Sequence, residues 1–168
     1  MSRSGYSDDY DADGTGGLWR GAVERSIRGK RGQAALKELA IAMDAMPNKV
    51  LVAESLVTQD GEFCTLGVLG QARGLNMAPI DSEDWEAVAA SFNLAPAMVR
   101  EIVYENDEGV STYHWVDVAI CGPMRPMYPY WEKHDRTVRV DIPESILGPQ
   151  RWQRMRQWVE SNLIKETS

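Results

Sequence analysis

The sequence predicts an α+β chain that is mostly α: a helical domain with a helix-turn-helix-like corner and one or two short β-hairpins. Three observations carry this expectation. Residues 81–107, DSEDWEAVAASFNLAPAMVREIVYEND, place apolar side chains at helical spacing on both sides of a tight turn. Residues 33–46 and 149–163 each carry one apolar stripe of the same period. Residues 110–121 and 137–142 alternate instead, partly in the first case and strictly in the second, as strands do.

In the corner, Trp85, Val88, Ala89 and Phe92 mark the first helix, and Met98, Val99, Ile102 and Val103 mark the second. Asn93 tolerates the left-handed backbone that ends a helix, and Pro96 suits the first turn of the next one. Small Ala89 leaves room for a close crossing. This is a helix-turn-helix pattern, which invites a DNA-binding reading. A DNA reader needs hydrogen-bonding side chains on the exposed start of its second helix. Here that surface is Ala95, Pro96 and Ala97, then Arg100 and Glu101, surrounded by Asp81, Glu83, Asp84, Glu86, Glu105, Asp107 and Glu108. The shape fits DNA and the charge opposes it.

The 168 residues suffice for one domain with its own core, and 43% hydrophobic with 26% charged residues is ordinary globular composition. A net charge of −7 argues against general polyanion binding while allowing a local basic patch. No apolar run reaches membrane-spanning length and no signal-peptide core opens the chain, so the expected address is the cytoplasm, with no membrane partner. Cys64 and Cys121 then read as reduced thiols.

In chain order, residues 1–17 are rich in Ser, Gly and Asp and read as a disordered acidic arm, with residues 18–168 as a single globular domain. The Asp9, Asp11, Asp13 spacing resembles the start of a calcium loop, but the closing Glu position holds Arg20. Residues 18–28 read as a helix with Leu18, Ala22, Val23 and Ile27 on one side. Gly29-Lys30-Arg31-Gly32 interrupts it, and residues 33–46 resume with Leu36, Leu39, Ala40, Met43 and Met46 as the stripe. Arg20, Arg25, Arg28, Lys30 and Arg31, opposed only by Glu24, form the main electropositive spot. A phosphate-loop pattern is not met there, since Glu24 occupies the required glycine position. A solvated charged loop and an anion or nucleic-acid contact both fit this cluster, with Arg100 as a further contact.

Residues 50–57 and 62–66, joined by Asp60-Gly61, read as a β-hairpin, with a helix over 50–57 as the alternative. Residues 67–73 read as a helix closed by Gly74. The block 109–148 is expected to be strand, loop, strand. Its loop is stiffened by Pro123, Pro126 and Pro129 and carries Met124, Met127, Tyr128, Tyr130 and Trp131, which suit a partner-binding surface or a lid. The final helix, 149–163, docks through Trp152, Met155, Val159 and Leu163, with Trp158 at the edge and Arg151, Arg154 and Arg156 largely outside the stripe.

Cys64, His114, Cys121 and His134 could together ligate zinc, but no pair has the short spacing usual at such sites. His114 and Cys121 are seven residues apart and face opposite ways on a strand, which disfavours a Cys–His nucleophile pair. The chain has no serine elbow, dinucleotide fingerprint or metal-binding helix motif. The expectation is a protein without enzymatic activity and without a cofactor.

MSRSGYSDD, WRGAVERSIRGKRGQAALKEL, EFCTLGVLGQARGLNM, EIVYENDE and RWQRMRQWV resemble a family of uncharacterised small proteins of bacteriophages and prophages of proteobacteria. The resemblance covers residues 1–108 and 149–161. Residues 109–148 replace a short linker in typical members and so read as an insertion. The family carries no activity to transfer; the resemblance implies a phage context and action on nucleic acid or a host protein. The first expectation is therefore a non-enzymatic binding protein engaging a host or phage macromolecule, with an acidic helical face that could imitate phosphates and inhibit a nucleic-acid-binding or defence protein. A helix-turn-helix DNA-binding regulator and a small zinc-binding protein are the alternatives.

Overall fold

The structure, a computed structural model, describes residues 3–6, 16–118 and 136–165. Among these residues are six helices and one two-stranded antiparallel sheet, a mostly α form of α+β. The helices are α1 Gly16–Arg28, α2 Lys30–Ala45, α3 Thr65–Ala72, α4 Trp85–Phe92, α5 Pro96–Asp107 and α6 Glu144–Asn162. The strands are β1 Tyr113–Val118 and β2 Arg136–Asp141. Where one globular domain was expected, contacts divide the chain into a helical unit, Met1–Val110 with Gly148–Ser168, and a ribbon unit, Ser111–Leu147.

In the helical unit, α5 packs against α1, α3 and α4. The corner forms as the sequence predicts. Asp84 caps α4 by accepting from the amides of Glu86 and Ala87, and Asn93 ends it in the left-handed region at φ 49°, ψ 44°. Pro96 opens α5. Val88, Ala89, Phe92, Met98, Val99, Ile102 and Val103 are all buried. On α1 the stripe is turned from the expected one: Leu18 is 77% exposed, whereas Trp19 packs on the core with Val23 and Ile27 at four-residue steps. Only Gly29 interrupts the α1–α2 run, because Lys30, Arg31 and Gly32 already belong to α2.

Of the hairpin expected over 50–66 only the turn end forms, and the alternative helix does not form. The turn signal is real, with Gly61 at φ +80° and its amide on the Thr58 carbonyl at 3.0 Å. What is missing is the ladder, reduced to one bridge between Val57 and Phe63. Glu54 takes φ +67°, and the amide of Leu51 bonds to Gly148 rather than across a strand pair. Leu51 and Leu56 are buried among helices instead. Helix α3 starts at Thr65, two residues before the expected start, and its residues 65–70 are all buried. A side chain at Gly67 would overlap the Leu56 carbonyl oxygen.

Helix α6 begins at Glu144 and takes Pro149 inside it, whereas Pro149 reads as a first-turn residue. Arg151, expected outside the apolar stripe, is 2% exposed and donates to the Leu51 carbonyl at 3.4 Å. Arg73 joins three helices: its Nε donates to Glu38 Oε2 at 2.6 Å and its Nη1 donates to the Phe92 carbonyl. The ribbon unit pairs Tyr113 with Asp141, Trp115 with Arg139 and Asp117 with Thr137.

Gly67→Ala is expected to destabilise the chain by about 2 kcal/mol or more, read by urea denaturation, because backbone must move to admit the methyl. The hydrogen bond from Arg73 holds the Glu38 carboxyl below its usual range. A carboxylate whose folded pKa is depressed adds stability above its unfolded pKa and loses it as pH falls through the folded one. Arg73→Ala is therefore expected to lower stability at neutral pH and to flatten its fall between about pH 5 and 3. Denaturation midpoints across that window check this.

Candidate functional site

The cations expected to meet an anion separate into two groups. Arg20 and Arg100 are engaged within the helical unit. Arg20 sends Nη1 and Nη2 to the two oxygens of Glu101, each at 2.8 Å. Glu101 is 3% exposed, and its Oε2 also accepts from the Tyr6 hydroxyl at 2.7 Å. Burial, then the Glu101 hydrogen bond, pushes the Tyr6 phenol well above its usual range, so it remains a donor. The Arg100 guanidinium lies 4.5 Å from the Trp85 ring centre, 4.6 Å from Trp19 and 5.2 Å from Tyr6. Its Nε donates to the Ser4 carbonyl at 2.7 Å. At the start of α5, Ala97, Met98 and Val99 are buried, leaving Pro96 exposed.

These contacts also place the first residues. Arg3, Ser4 and Tyr6, expected in a free arm, pack on the helical unit; residues 7–15 of that arm lie outside the described residues. Arg3 Nε is 3.0 Å from Asp107 Oδ2, with both side chains less than a tenth exposed. Burial raises the Asp107 carboxyl and the Arg3 charge opposes the rise. Beside it, Asn106 accepts from the Thr65 amide and hydroxyl and donates to the Val52 carbonyl at 2.9 Å, stitching α5 to the start of α3. Sequence reasoning missed Arg3, Tyr6, Glu101, Asn106 and Asp107. The available signal was Glu101 itself, three residues after Met98 and next to Ile102, on the apolar face of α5.

The second group stays at the surface. Arg28 pairs with Glu24 at 2.9 Å on the same helix. Arg25, Lys30 and Arg31 surround a depression of 230 Å³ at the α1–α2 elbow, which Ala95 at the corner also lines. Arg31 reaches the corner directly, donating to Asn93 Oδ1 at 3.3 Å. A larger groove of 680 Å³ has Val23, Ile27, Trp158 and Leu163 on its walls beside the Arg20–Glu101 pair.

In the ribbon unit, one face carries Tyr113, Trp115 and Arg139. The two rings meet edge to face at 5.8 Å and 88°, and the Arg139 guanidinium lies 4.1 Å above Tyr113 while its Nε donates to Asp141 at 2.8 Å. Trp115 is 61% exposed. The other face carries His114, Val116, Val138 and Val140, of which Val116 and Val140 are about two-fifths exposed. The predicted partner residues Met124, Met127, Tyr128, Tyr130 and Trp131 lie outside the described residues.

Of the zinc candidates, Cys64 is buried at the N-cap of α3, with its thiol pushed up by burial, and His114 is exposed on β1 in the other unit. Cys121 and His134 lie outside the described residues. Among the described residues, no three His, Cys, Asp or Glu side chains gather as a metal site. No helix of the described residues is long and apolar enough to cross a membrane. Compared with family models, curated proteins and solved structures, the chain gives no match.

Proposed function

We propose that this chain is a non-enzymatic binding protein of phage or prophage origin, acting in the host cytoplasm, that grips a host or phage protein through its β-ribbon. The phage context rests on the motif resemblance. The binding mode rests on one observation: Tyr113, Trp115 and Arg139 share a ribbon face on which Trp115 is largely exposed. Trp, Tyr and Arg are the side chains that dominate binding energy at protein interfaces. The T-shaped contact and the Arg139–Tyr113 stacking hold the three in place before a partner arrives, which lowers the ordering cost of association. A polyanion suits this face less well, because Asp117 and Asp141 stand on it beside Arg139.

Direct base reading by α5 is the weaker reading. Arg100, its one cation, is sandwiched among aromatic rings, and Glu101 is tied to Arg20. The buried carboxylates Glu101 and Asp107 are each held by a guanidinium, which supports a packing role for them.

The test is affinity capture from host lysate after nuclease treatment, with Trp115→Ala and Ile41→Ala compared with the parent chain. Ile41 is 72% exposed on α2 and serves as the control. A stoichiometric protein should survive nuclease, be kept by Ile41→Ala, and bind Trp115→Ala about 2 kcal/mol more weakly. Capture that is unchanged in Trp115→Ala, or that disappears with nuclease, would overturn the proposal.

A further inference from the structure

We propose a second, separate site: the α1–α2 elbow binds a phosphate group through Arg25, Lys30 and Arg31. The helical unit leaves positive charge unmatched at the α1–α2 elbow. Against a net charge of −7, most described arginines are matched by a carboxylate. Arg20 pairs with Glu101, Arg28 with Glu24, Arg73 with Glu38, Arg154 with Glu105 and Arg156 with Asp44. Arg25 and Lys30 make no ion pair among the described residues, and Arg31 reaches only the neutral amide of Asn93. The three meet around one depression of 230 Å³ whose lining includes no acidic side chain.

The backbone adds to the same field. Both α2 and α5 begin at this depression, through Gly29 and Lys30 on one side and Ala95 on the other. Neither N-cap makes a side-chain cap hydrogen bond. The amino ends of α2 and α5, together with the last turn of α1, thus border a concavity rimmed by three cations. Gly32 lets α2 start close against the end of α1, where a Cβ would meet the Ser26 and Ile27 carbonyl oxygens. An oxyanion with several acceptor oxygens matches this arrangement better than a single carboxylate does, since two arginine forks and an ammonium supply donors from different directions. The depression has room for one such group.

A free phosphate compound and a nucleic-acid backbone present the same chemistry, so the experiment carries an arm for each. Inorganic phosphate is titrated into the full chain by calorimetry, and a labelled duplex of about 20 base pairs is followed by fluorescence anisotropy between about 50 and 200 mM salt. Lys30→Gln/Arg31→Gln is the test variant, Arg25→Gln a second, and Arg28→Gln the control; each replaces an exposed side chain, and circular dichroism checks the fold. Phosphate binding weakened about tenfold or more in the double variant, and within about twofold of the parent in the control, is expected. Duplex binding whose salt slope drops by about 1 to 2 in the double variant assigns the phosphate to a polynucleotide; response to phosphate alone assigns it to a small anion. No response to either probe, or equal responses in the parent and both test variants, would overturn the site.

Discussion

The carboxylate of Glu101 sits on the inner face of the twelve-residue helix α5, almost wholly removed from water. A buried charge left without a partner costs about 3–5 kcal/mol, a large part of a domain's net stability. The fold meets this constraint with two partners from distant parts of the chain. Arg20 brings α1 against α5, and Tyr6 brings the first residues down beside it. Once Tyr6 is there, Arg100 lies among Tyr6, Trp19 and Trp85, and Ser4 accepts from it. One turn further on, Asn106 and Asp107 draw in Thr65, Val52 and Arg3. The polar residues of α5 thus tie the helical unit together from inside.

That arrangement changes what the helix-turn-helix corner is for. A reading helix presents its first turns outward; here Ala97, Met98 and Val99 are buried and Arg100 is held among aromatic rings. Within the helical unit the corner packs α4 and α5 into the core. The unmatched cations gather at the α1–α2 elbow, and the exposed aromatic and arginine side chains gather on the ribbon.

Local signals were legible wherever one residue type has one strong physical consequence. Asn93 and Pro96 fix the corner because few other residues accept a left-handed cap or a first-turn position so readily. The stripe of Leu36, Leu39 and Met43 reports its own burial, and the alternation at Thr137–Asp141 reports a strand. The aliphatics of 50–57 misled because a buried irregular segment and a buried strand have the same composition; Glu54 at positive φ and the Leu51 amide bonded to Gly148 depart from a ladder, and composition encodes neither. The arm misled for another reason. Its composition argues for disorder, while Arg3 and Tyr6 are ordered by carboxylates about a hundred residues away. Long-range polar pairing of this kind leaves no periodic trace. Its one hint was a glutamate on an apolar face, which requires a partner without naming it.

The most direct test of this account is a double-mutant cycle between Arg20→Ala and Glu101→Gln, read by urea denaturation at neutral pH. If the pair anchors α1 to α5, the two changes should be non-additive, with a coupling of about 1–3 kcal/mol. Changes that add, each costing only a few tenths of a kcal/mol, would mean that Glu101 is solvated and that α5 is free to face outward.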